Sequence, residues 1–379
     1  MTRYKQEKVQ QFFFTLTLLL AASGLLASCT HDDEPAAPDN YIPPYNITVI
    51  LAMGGPGDNS YNDRIVYGMA TYAVQHDRDI YLLFPEDMDE VRAYYSGWIE
   101  AYRDADVPSM LVLAGSEYED LIQPTDSIGP KCRVLLFESG KTDLPERTSS
   151  FRINRYGTSY LTGAMVSRRK AHVIAANDKE IMVRELVSGF CDGYEAHSGH
   201  PVDSVIYLAD DYRGFSMQSK GRRLTDSIGK KLDGRMIITE DFKIDFTPCY
   251  NTFFTAAGSS NQGVYNGVYH TGMQQAIGMD KDCSDLNDNI PFSIDIAIDK
   301  LLIFYLEEWE SGRELPQSAS YGMESGYISL VFSTAWNSKG NFIQWDSVNP
   351  EYSRLPDNFW QTKCDLYKEE ALIKEKEYD

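Results

Sequence analysis

The sequence predicts an α/β fold with two doubly wound lobes, each built on a parallel sheet. Apolar strands alternate with amphipathic helices over residues 47–137, and the alternation restarts at Phe151 after a polar break. Strands separated by helices require right-handed crossovers, which pair the strands in parallel. The chain has 379 residues, which is more than one hydrophobic core usually supports, so two lobes are expected.

The first series combines continuous apolar runs with helical patterns. In its first helix, Ile65, Met69 and Ala73 recur at four-residue spacing, which places them on one face. Continuous apolar strands are typical of parallel sheets, which helices cover on both faces. The predicted strands are residues 47–53, 79–84, 109–114 and 133–137, and the predicted helices are residues 63–76 and 88–104.

The second series follows the same plan up to residue 332 and adds a charged end. Its predicted strands are residues 151–154, 171–176, 203–208, 235–240, 263–269, 275–279 and 327–332. Its predicted helices are residues 156–168, 182–197, 216–232, 250–257 and 294–312, and residues 365–379 predict a frayed helix. Two such sheets in succession, with a cleft between them, have the geometry of a bilobal binding protein.

A glycine-rich polar turn, residues 54–63, links the first strand to the first helix. In open parallel sheets, ligands bind outside the carboxyl ends of the strands, so this turn is the first candidate for a ligand site. Ser60 and Asp63 also fit a helix capping box, and capping is compatible with ligand contact. A dinucleotide site is a poorer interpretation, because the third glycine of that fingerprint is absent and Asp58 would repel a pyrophosphate.

The chain is strongly acidic, with a formal net charge of -21 at pH 7. A surface of that charge repels polyanions, so no nucleic-acid partner is expected. The sequence contains no basic cluster that would offset this charge locally. A free, highly charged phosphate ester is therefore a poor ligand as well.

The N-terminus has the pattern of a secretory signal. Basic residues precede an apolar run over residues 12–20, and Leu26-Ala27-Ser28-Cys29 then resembles a bacterial lipobox. We expect cleavage before Cys29 and acylation of its thiol. The protein would then be exported and would meet the membrane through a lipid anchor only, at the periplasmic face or the cell surface. Residues 30–46 are acidic and rich in proline, which predicts a disordered tether.

Six motifs, in order, resemble the basic membrane protein family of lipoprotein solute-binding components of ABC importers. They are Gly57-Asp58-Asn59-Ser60-Tyr61-Asn62; Phe151-Arg152 with Tyr160-Leu161-Thr162-Gly163-Ala164; Ser188-Gly189-Phe190-Cys191-Asp192-Gly193; residues 258–263; Ala276-Ile277-Gly278-Met279-Asp280; and Tyr321-Gly322-Met323 with Gly326-Tyr327-Ile328. The resemblance spans about residues 47–335. It implies two Rossmann-like lobes of the type I periplasmic-binding fold and uptake of a purine nucleoside through an ABC permease.

The resemblance also implies which residues bind the ligand. Tyr61 stands where the family has a stacking phenylalanine, and stacking on a base is worth about 1–3 kcal/mol. Asp280 stands where the family has an aspartate that holds ribose hydroxyls, and a carboxylate can accept two such hydrogens. Glu138 follows the fourth strand at the family's acidic position, and the second stacking aromatic would be Phe246 or Phe242. The implied set is Asp58, Ser60, Tyr61, Asn62, Glu138, Phe246, Gly258 and Asp280.

One departure concerns the family's Ser-x-x-Lys segment. Ser293 matches, but Ile296 stands where the family often has the lysine. Loss of that cation weakens the case for an identical ligand. Two alternatives follow: a binding protein for a monosaccharide or other small metabolite, and a sensing lipoprotein that signals to a membrane partner instead of feeding a permease.

No catalytic constellation is recognisable, so we expect no enzymatic activity, no cofactor and no metal. The acidic run 280–291 resembles a calcium loop, but Asp285 stands where that loop needs glycine and Pro291 where it needs a bidentate glutamate. The enzymatic alternative is an exported nucleoside hydrolase, which would need a carboxylate-rich metal cluster. Residues 280–288 are its only candidate.

The expected division of the chain follows from the signal, the tether and the two-lobed fold. Residues 1–29 are the signal peptide ending at the lipidated Cys29, and residues 30–46 are the tether. Lobe one comprises residues 47–150 with about 283–316, lobe two comprises residues 151–282 with about 317–350, and residues 351–379 form a charged C-terminal tail.

Overall fold

Two parallel sheets organise the part of the chain that the computed structural model describes. That part is residues 45–123, 128–232, 235–238, 244–247, 251–268, 274–333, 343–344, 353–354 and 358–378. For residues 230–232, 235–238, 244–247, 343–344 and 353–354 it gives the backbone alone. Cys29 and residues 30–44 of the predicted tether lie outside the described residues, whereas Asn46, which was counted in the tether, begins the first strand.

The helices and strands follow each other in the alternating order that the sequence predicts. The first are β1 (Asn46–Leu51), α1 (Tyr61–His76), β2 (Ile80–Leu83), α2 (Met88–Tyr102), β3 (Ser109–Ala114), β4 (Cys132–Phe137), β5 (Thr148–Ile153), α3 (Tyr156–Val166), β6 (Lys170–Ala175) and α4 (Ile181–Ser198). They continue with β7 (Ser204–Tyr207), α5 (Gln218–Leu232), β8 (Arg235–Ile238), β9 (Ile244–Thr247), β10 (Asn251–Ala256), α6 (Asn261–Gly267), β11 (Gln274–Ala276), β12 (Gly278–Asp280) and β13 (Phe292–Ile296). The last are α7 (Ile298–Glu310), β14 (Ser318–Tyr321), β15 (Ile328–Phe332), β16 (Ile343–Gln344), β17 (Ser353–Arg354) and α8 (Phe359–Tyr378).

The first sheet has six strands in the order β14-β5-β4-β3-β1-β2, all paired in parallel. All six residues of β1 are buried. Val49 packs in the cluster that contains Ile65 of α1, whereas the next residue, Ile50, packs with Val91 of α2. Successive strand residues point to opposite faces, so α1 and α2 cover opposite faces of this sheet.

The second sheet has four parallel strands in the order β11-β10-β6-β7. Its central strands β6 and β10 pair along their whole length without a bulge, with Phe254 opposite Val173. A third, three-stranded sheet pairs β12 with β13 in parallel and β13 with β15 in antiparallel fashion. The fold class predicted from sequence, two doubly wound parallel-sheet lobes, is confirmed.

Two predicted elements in the second series are wrong and exchange their types. Residues 250–257, predicted as a helix, form β10, and residues 263–269, predicted as a strand, begin inside α6. β10 is a short run of threonine and phenylalanine, residue types that favour strands, but a short apolar run cannot be told from a buried helix by periodicity. In α6, a side chain at Gly263 would overlap the backbone of Gln218, so this glycine allows close packing of α6 on α5.

The long helix predicted over residues 294–312 is two elements. Residues Phe292–Ile296 form β13, and the helix α7 begins only at Ile298. The isoleucines of this segment are β-branched and suit a buried strand. Because apolar residues continue across the boundary, the sequence pattern does not show where β13 ends and α7 begins.

The charged C-terminal segment is an ordered helix, which corrects the prediction of a frayed end. Trp360, Cys364 and Ala371 of α8 are buried. Tyr378, near the end of α8, stacks on Tyr156 with ring centroids 4.0 Å apart. A helix that buries one apolar stripe in this way is stabilised by tertiary packing rather than by its own propensity.

Within the described ranges, no helix combines the length and the apolar character needed to cross a membrane. The four cysteines described there, Cys132, Cys191, Cys283 and Cys364, are free.

Candidate functional site

A pocket lies at the carboxyl ends of strands from both parallel sheets. In each sheet the strand order reverses at one point, between β1 and β3 in the first and between β6 and β10 in the second. Ligands bind at such switch points because the loops on either side diverge and leave a crevice. The loops after β1, β3 and β10 line the pocket, together with the first turns of α4, the helix that follows β6. The lining residues are Ala52, Met53, Gly54, Asp58, Tyr61, Asn62, Glu117, Arg155, Met182, Val183, Leu186, Phe215, Ala256, Ala257, Gly258, Ser259, Met279 and Asp280.

Asp58 lies in the pocket wall, where it caps α1. Its Oδ1 accepts hydrogen bonds from the backbone N–H groups of Ser60 (2.9 Å) and Asp63 (3.1 Å), and its Oδ2 accepts one from Asn62 (2.8 Å). The capping box predicted for Ser60 is therefore wrong, because the Ser60 side chain makes no cap. Burial raises the pKa of the Asp58 carboxyl, although the three amide donors oppose that shift.

Tyr61 and Asn62 form the first turn of α1 and both line the pocket. The Tyr61 hydroxyl and the Asn62 Oδ1 are buried, and neither has a hydrogen-bond partner among the described residues. Burial, together with the charge of Glu138, raises the pKa of the Tyr61 hydroxyl well above its ordinary value, so Tyr61 is a neutral phenol. Because buried polar atoms are normally paired, these two atoms are available to a ligand.

Asp280 ends β12 and faces the pocket from the opposite loop. Ser60 donates its hydroxyl hydrogen to Asp280 Oδ2, and no described residue donates to the other carboxylate oxygen. Asp280 adopts a φ of 68°, a left-handed conformation that costs a non-glycine residue about 1–3 kcal/mol and is concentrated at functional sites. Burial raises the pKa of its carboxyl, while the hydrogen bond from Ser60 opposes that shift.

Glu138 lies behind the pocket wall and holds Arg155. The two side chains form a bidentate pair, with Arg155 Nη1 2.8 Å from Oε2 and Nη2 2.6 Å from Oε1. Both residues are almost fully buried: Arg155 is 1% exposed and Glu138 is 0% exposed. Burial opposes ionisation of Arg155, but Glu138 outweighs it and holds the pKa of the guanidinium above its usual value. Arg155 therefore lines the pocket, but its positive charge is already paired with the Glu138 carboxylate.

Glu117 brings a further carboxyl group to the pocket. It follows β3, and its Oε1 accepts a hydrogen bond of 2.6 Å from the backbone N–H of Met53. Burial raises the pKa of this carboxyl to about 7, the Met53 amide opposes the shift, and the charge of Glu180 adds to it. Glu117 is therefore a pocket group whose charge changes near neutral pH.

The remaining predicted residues have different fates. Gly258 lines the pocket beside Phe215, with a left-handed φ of 52° that suits glycine. Phe246 belongs to β9, whose side chains lie outside the described part of the chain. Of the predicted set, Asp58, Tyr61, Asn62, Gly258 and Asp280 line one pocket, whereas Ser60 and Glu138 act on it through their neighbours.

Three charged or aromatic lining residues were missed: Glu117, Arg155 and Phe215. Each follows a parallel strand, β3, β5 or β7, in the way that Asp58 follows β1. The strand-end rule that selected the turn containing Asp58 was the signal that could have found them.

The comparisons with known proteins identify a fold. No protein-family model matches the sequence, and no curated protein is similar to it. Among solved structures, a solute-binding protein of an ABC transporter system from Aeropyrum pernix K1 matches with a TM-score of 0.63 and 16% identity, over 88% of this chain and 90% of that chain. A glucose-galactose binding protein from Geobacillus stearothermophilus matches with a TM-score of 0.54 and 14% identity, over 76% and 97%. The chain has the type I periplasmic-binding fold.

This fold serves more than one purpose among the matching structures. A transcriptional activator of the comK gene from Bacillus halodurans matches with a TM-score of 0.56 and 16% identity, over 86% of this chain and 97% of that chain. Since fold does not imply function, the ligand has to be argued from the pocket itself.

Proposed function

We propose that this chain is an extracytoplasmic solute-binding protein that captures a small polar ligand in the pocket between its two sheets. The leading ligand is a purine nucleoside, delivered to an ABC permease. The observation that carries the proposal is the pairing of aromatic surface with open hydrogen-bond acceptors. Tyr61 and Phe215 supply the aromatic surface, and Asn62 Oδ1 and one oxygen of Asp280 supply the acceptors. A nucleoside presents a flat base and donating ribose hydroxyls, which suit this pattern.

Charge also supports an unphosphorylated ligand. The pocket is lined by three acidic side chains, Asp58, Glu117 and Asp280, and by Arg155. Because Arg155 already forms a bidentate pair with Glu138, the lining offers an added anion little attraction. We propose no enzymatic activity, no cofactor and no nucleic-acid partner.

The envelope location belongs to the same proposal. We propose that Cys29 carries the lipid, that residues 30–44 tether the folded part, and that the lobes divide near residues 150, 282 and 316. The similarity to solute-binding proteins of ABC transporter systems supports an extracytoplasmic role of this kind.

A monosaccharide is the second candidate ligand. Ile296, which stands in place of the family's lysine, is fully buried at the end of β13 and does not line the pocket. That position therefore supplies no cation to a base, and matching structures include sugar-binding proteins. Acceptor-rich pockets hold sugar hydroxyls as well as they hold ribose.

A ligand screen on the chain from residue 30 onward, which contains every described element, tests the proposal. Adenosine, guanosine, inosine, their free bases, D-ribose, D-glucose and D-galactose are compared by thermal unfolding. A ligand at about 100 times its dissociation constant adds about 2.7 kcal/mol of stability. If a sugar stabilises the protein and no nucleoside does, the monosaccharide replaces the nucleoside as the leading ligand. If no compound of the panel stabilises the protein, both candidate ligands are rejected.

The variant Tyr61→Ala tests the stacking contact in the same assay. Loss of one aromatic–base stack should weaken nucleoside binding about tenfold, or about 1.4 kcal/mol. Tyr67→Ala is the matched control, because Tyr67 lies on the same helix and is 70% exposed. Equal affinities for the two variants would remove Tyr61 from the ligand site.

A further inference from the structure

Glu117 occupies the switch point of the first sheet. β1 and β3 are neighbours in the sheet, and the loops that follow them lead in opposite directions. Met53 follows β1 and Glu117 follows β3, and the hydrogen bond from the Met53 N–H to Glu117 Oε1 joins the two loops across the crevice. The crevice at such a point is where this class of sheet places its ligand.

The chain makes room for the Glu117 carboxyl group at this position. A methyl group on Gly115 would overlap the carboxyl carbon and both carboxyl oxygens of Glu117. Gly115 has an extended backbone, with φ −154° and ψ 145°, which any residue adopts. The absence of a side chain at Gly115 therefore leaves the space in which the Glu117 carboxyl group lies against this loop.

The charges around Glu117 are mostly negative. Glu180 precedes α4 and, as noted above, its charge favours protonation of Glu117. Across the pocket lie Asp58, Asp280, the neutral phenol of Tyr61, and Arg155 with its partner Glu138. No described lysine or arginine forms an ion pair with Glu117. Its carboxylate therefore has the Met53 amide as a donor and lacks a countercharge.

We propose that Glu117 is a ligand-binding residue: as a carboxylate, it accepts a hydrogen bond from a hydroxyl or amino group of the ligand, and binding releases its proton. This inference rests on the proposed function and adds to it a ligand contact and a pH dependence. It also adds a selection rule, since a ligand that places an anionic group near Glu117 is rejected.

The direction of the pH dependence follows from the protonation states. In the free protein the pKa of Glu117 is about 7, so about one tenth of the carboxyl groups are ionised at pH 6 and about nine tenths at pH 8. A hydrogen bond donated by the ligand favours the ionised form and lowers that pKa in the complex. Affinity therefore rises about tenfold from pH 6 to pH 8, because only the ionised fraction is competent to bind.

Titration calorimetry at about pH 6 and about pH 8 tests this inference, with the tightest ligand of the nucleoside and sugar panel as the probe. Two buffers of different ionisation enthalpy give the number of protons released by the unaltered protein. Glu117→Gln keeps the shape of the side chain and should abolish the tenfold change. Asp120→Asn is the matched control, since Asp120 lies in the same short helical segment with its side chain fully exposed, and it should keep the change.

The outcomes separate this inference from the proposed function. If no compound of the panel binds, the proposed function fails and the inference fails with it. If a compound binds with the same affinity at both pH values and releases no proton, the inference fails while the proposed function stands. If Glu117→Gln retains the pH dependence, the titrating group is another carboxyl. Should Glu117→Gln unfold, the proton count of the unaltered protein still decides, because release near pH 6 and none near pH 8 is the expected result.

Discussion

Arg155 and Glu138 are opposite charges that share a site closed to solvent. The guanidinium also donates to the carbonyl oxygen of Ile153 (2.7 Å), and the backbone N–H of Arg155 donates to Glu185 Oε2 (3.0 Å). Glu138 has a left-handed φ of 58°, which costs a non-glycine residue free energy. The pair, the strained backbone and the pocket wall therefore depend on one another.

Replacing Arg155 by methionine should destabilise the protein strongly. The change leaves Glu138 buried without its partner, and removal of one member of a buried pair costs about 3–5 kcal/mol. Urea denaturation measures the loss. The control is Arg92→Met, because the Arg92–Asp89 pair is exposed, and such pairs contribute about 0–1 kcal/mol.

The double variant Glu138→Gln with Arg155→Met should recover part of that loss, since no unpaired charge then stays buried. A double variant as unstable as the sum of the two single variants would contradict the coupling. A loss below 1 kcal/mol for Arg155→Met alone would show that the pair is not needed for stability.

At the residue scale, the sequence predicted where the pocket lies better than how its side chains are used. The rule that ligands lie beyond strand ends selected the turn that contains Asp58, the family resemblance selected Asp280, and both residues line the pocket. The rule could not tell that Asp58 would direct both oxygens at backbone amides. Nor could it tell that Glu117 would turn inward, because that orientation depends on the space beside Gly115. Such choices are made by packing between residues distant in sequence.

At the element scale, α8 connects the C-terminal segment to the parts of the chain near the pocket. Glu375 accepts a hydrogen bond of 2.9 Å from the backbone N–H of Met323, and Tyr160 of α3 donates one of 2.5 Å to Glu370. At the other end of α8, Trp360 packs on Phe292 of β13 with ring centroids 5.1 Å apart. α8 therefore braces α3, the helix that begins next to Arg155.

Trp360→Ala should destabilise the protein by about 3–5 kcal/mol, the usual cost of truncating a buried large aromatic side chain. Trp360 is 3% exposed, so the change leaves a cavity between α8 and β13. Leu366→Ala is the control on the same helix, because Leu366 is 66% exposed and its loss should change the free energy of unfolding by about 0.5 kcal/mol or less. Equal effects in urea denaturation would contradict the packing of α8.

The prediction of a frayed C-terminal helix failed because charge was given more weight than spacing. Trp360, Cys364 and Ala371 recur at helical intervals, which is the signal of one buried stripe. The many lysine and glutamate residues between them occupy the other faces. By contrast, the helix α1 was predicted because its buried Ile65 and Met69 recur at four-residue spacing, which places them on one face.

At the scale of the whole molecule, the ligand site and the proposed membrane anchor are separate parts of the chain. Every pocket residue lies between Ala52 and Asp280, whereas the lipobox pattern ends at Cys29. In the proposed anchored form, each residue between Cys29 and β1 adds at most about 3.3–3.6 Å of reach when extended. With a net charge of -21, the chain gains no overall attraction to anionic lipid, so the proposed membrane association relies on acylation.

Acylation of Cys29 is therefore the whole-molecule prediction. Expressed in a bacterium supplied with a palmitate analogue that can be tagged, the full chain should incorporate the label. Cys29→Ala should not incorporate the label, because the cysteine that would carry the acyl chains is absent. It should also lose its membrane affinity, since each buried acyl methylene contributes about 0.8 kcal/mol. Cys191→Ala, which removes a half-buried cysteine of α4, should stay labelled. Label on the Cys29→Ala protein would place the lipid elsewhere, and an unlabelled full chain would reject the anchor.

Nucleoside or sugar affinity should be the same with and without the label, since the pocket lies wholly in the folded part of the chain.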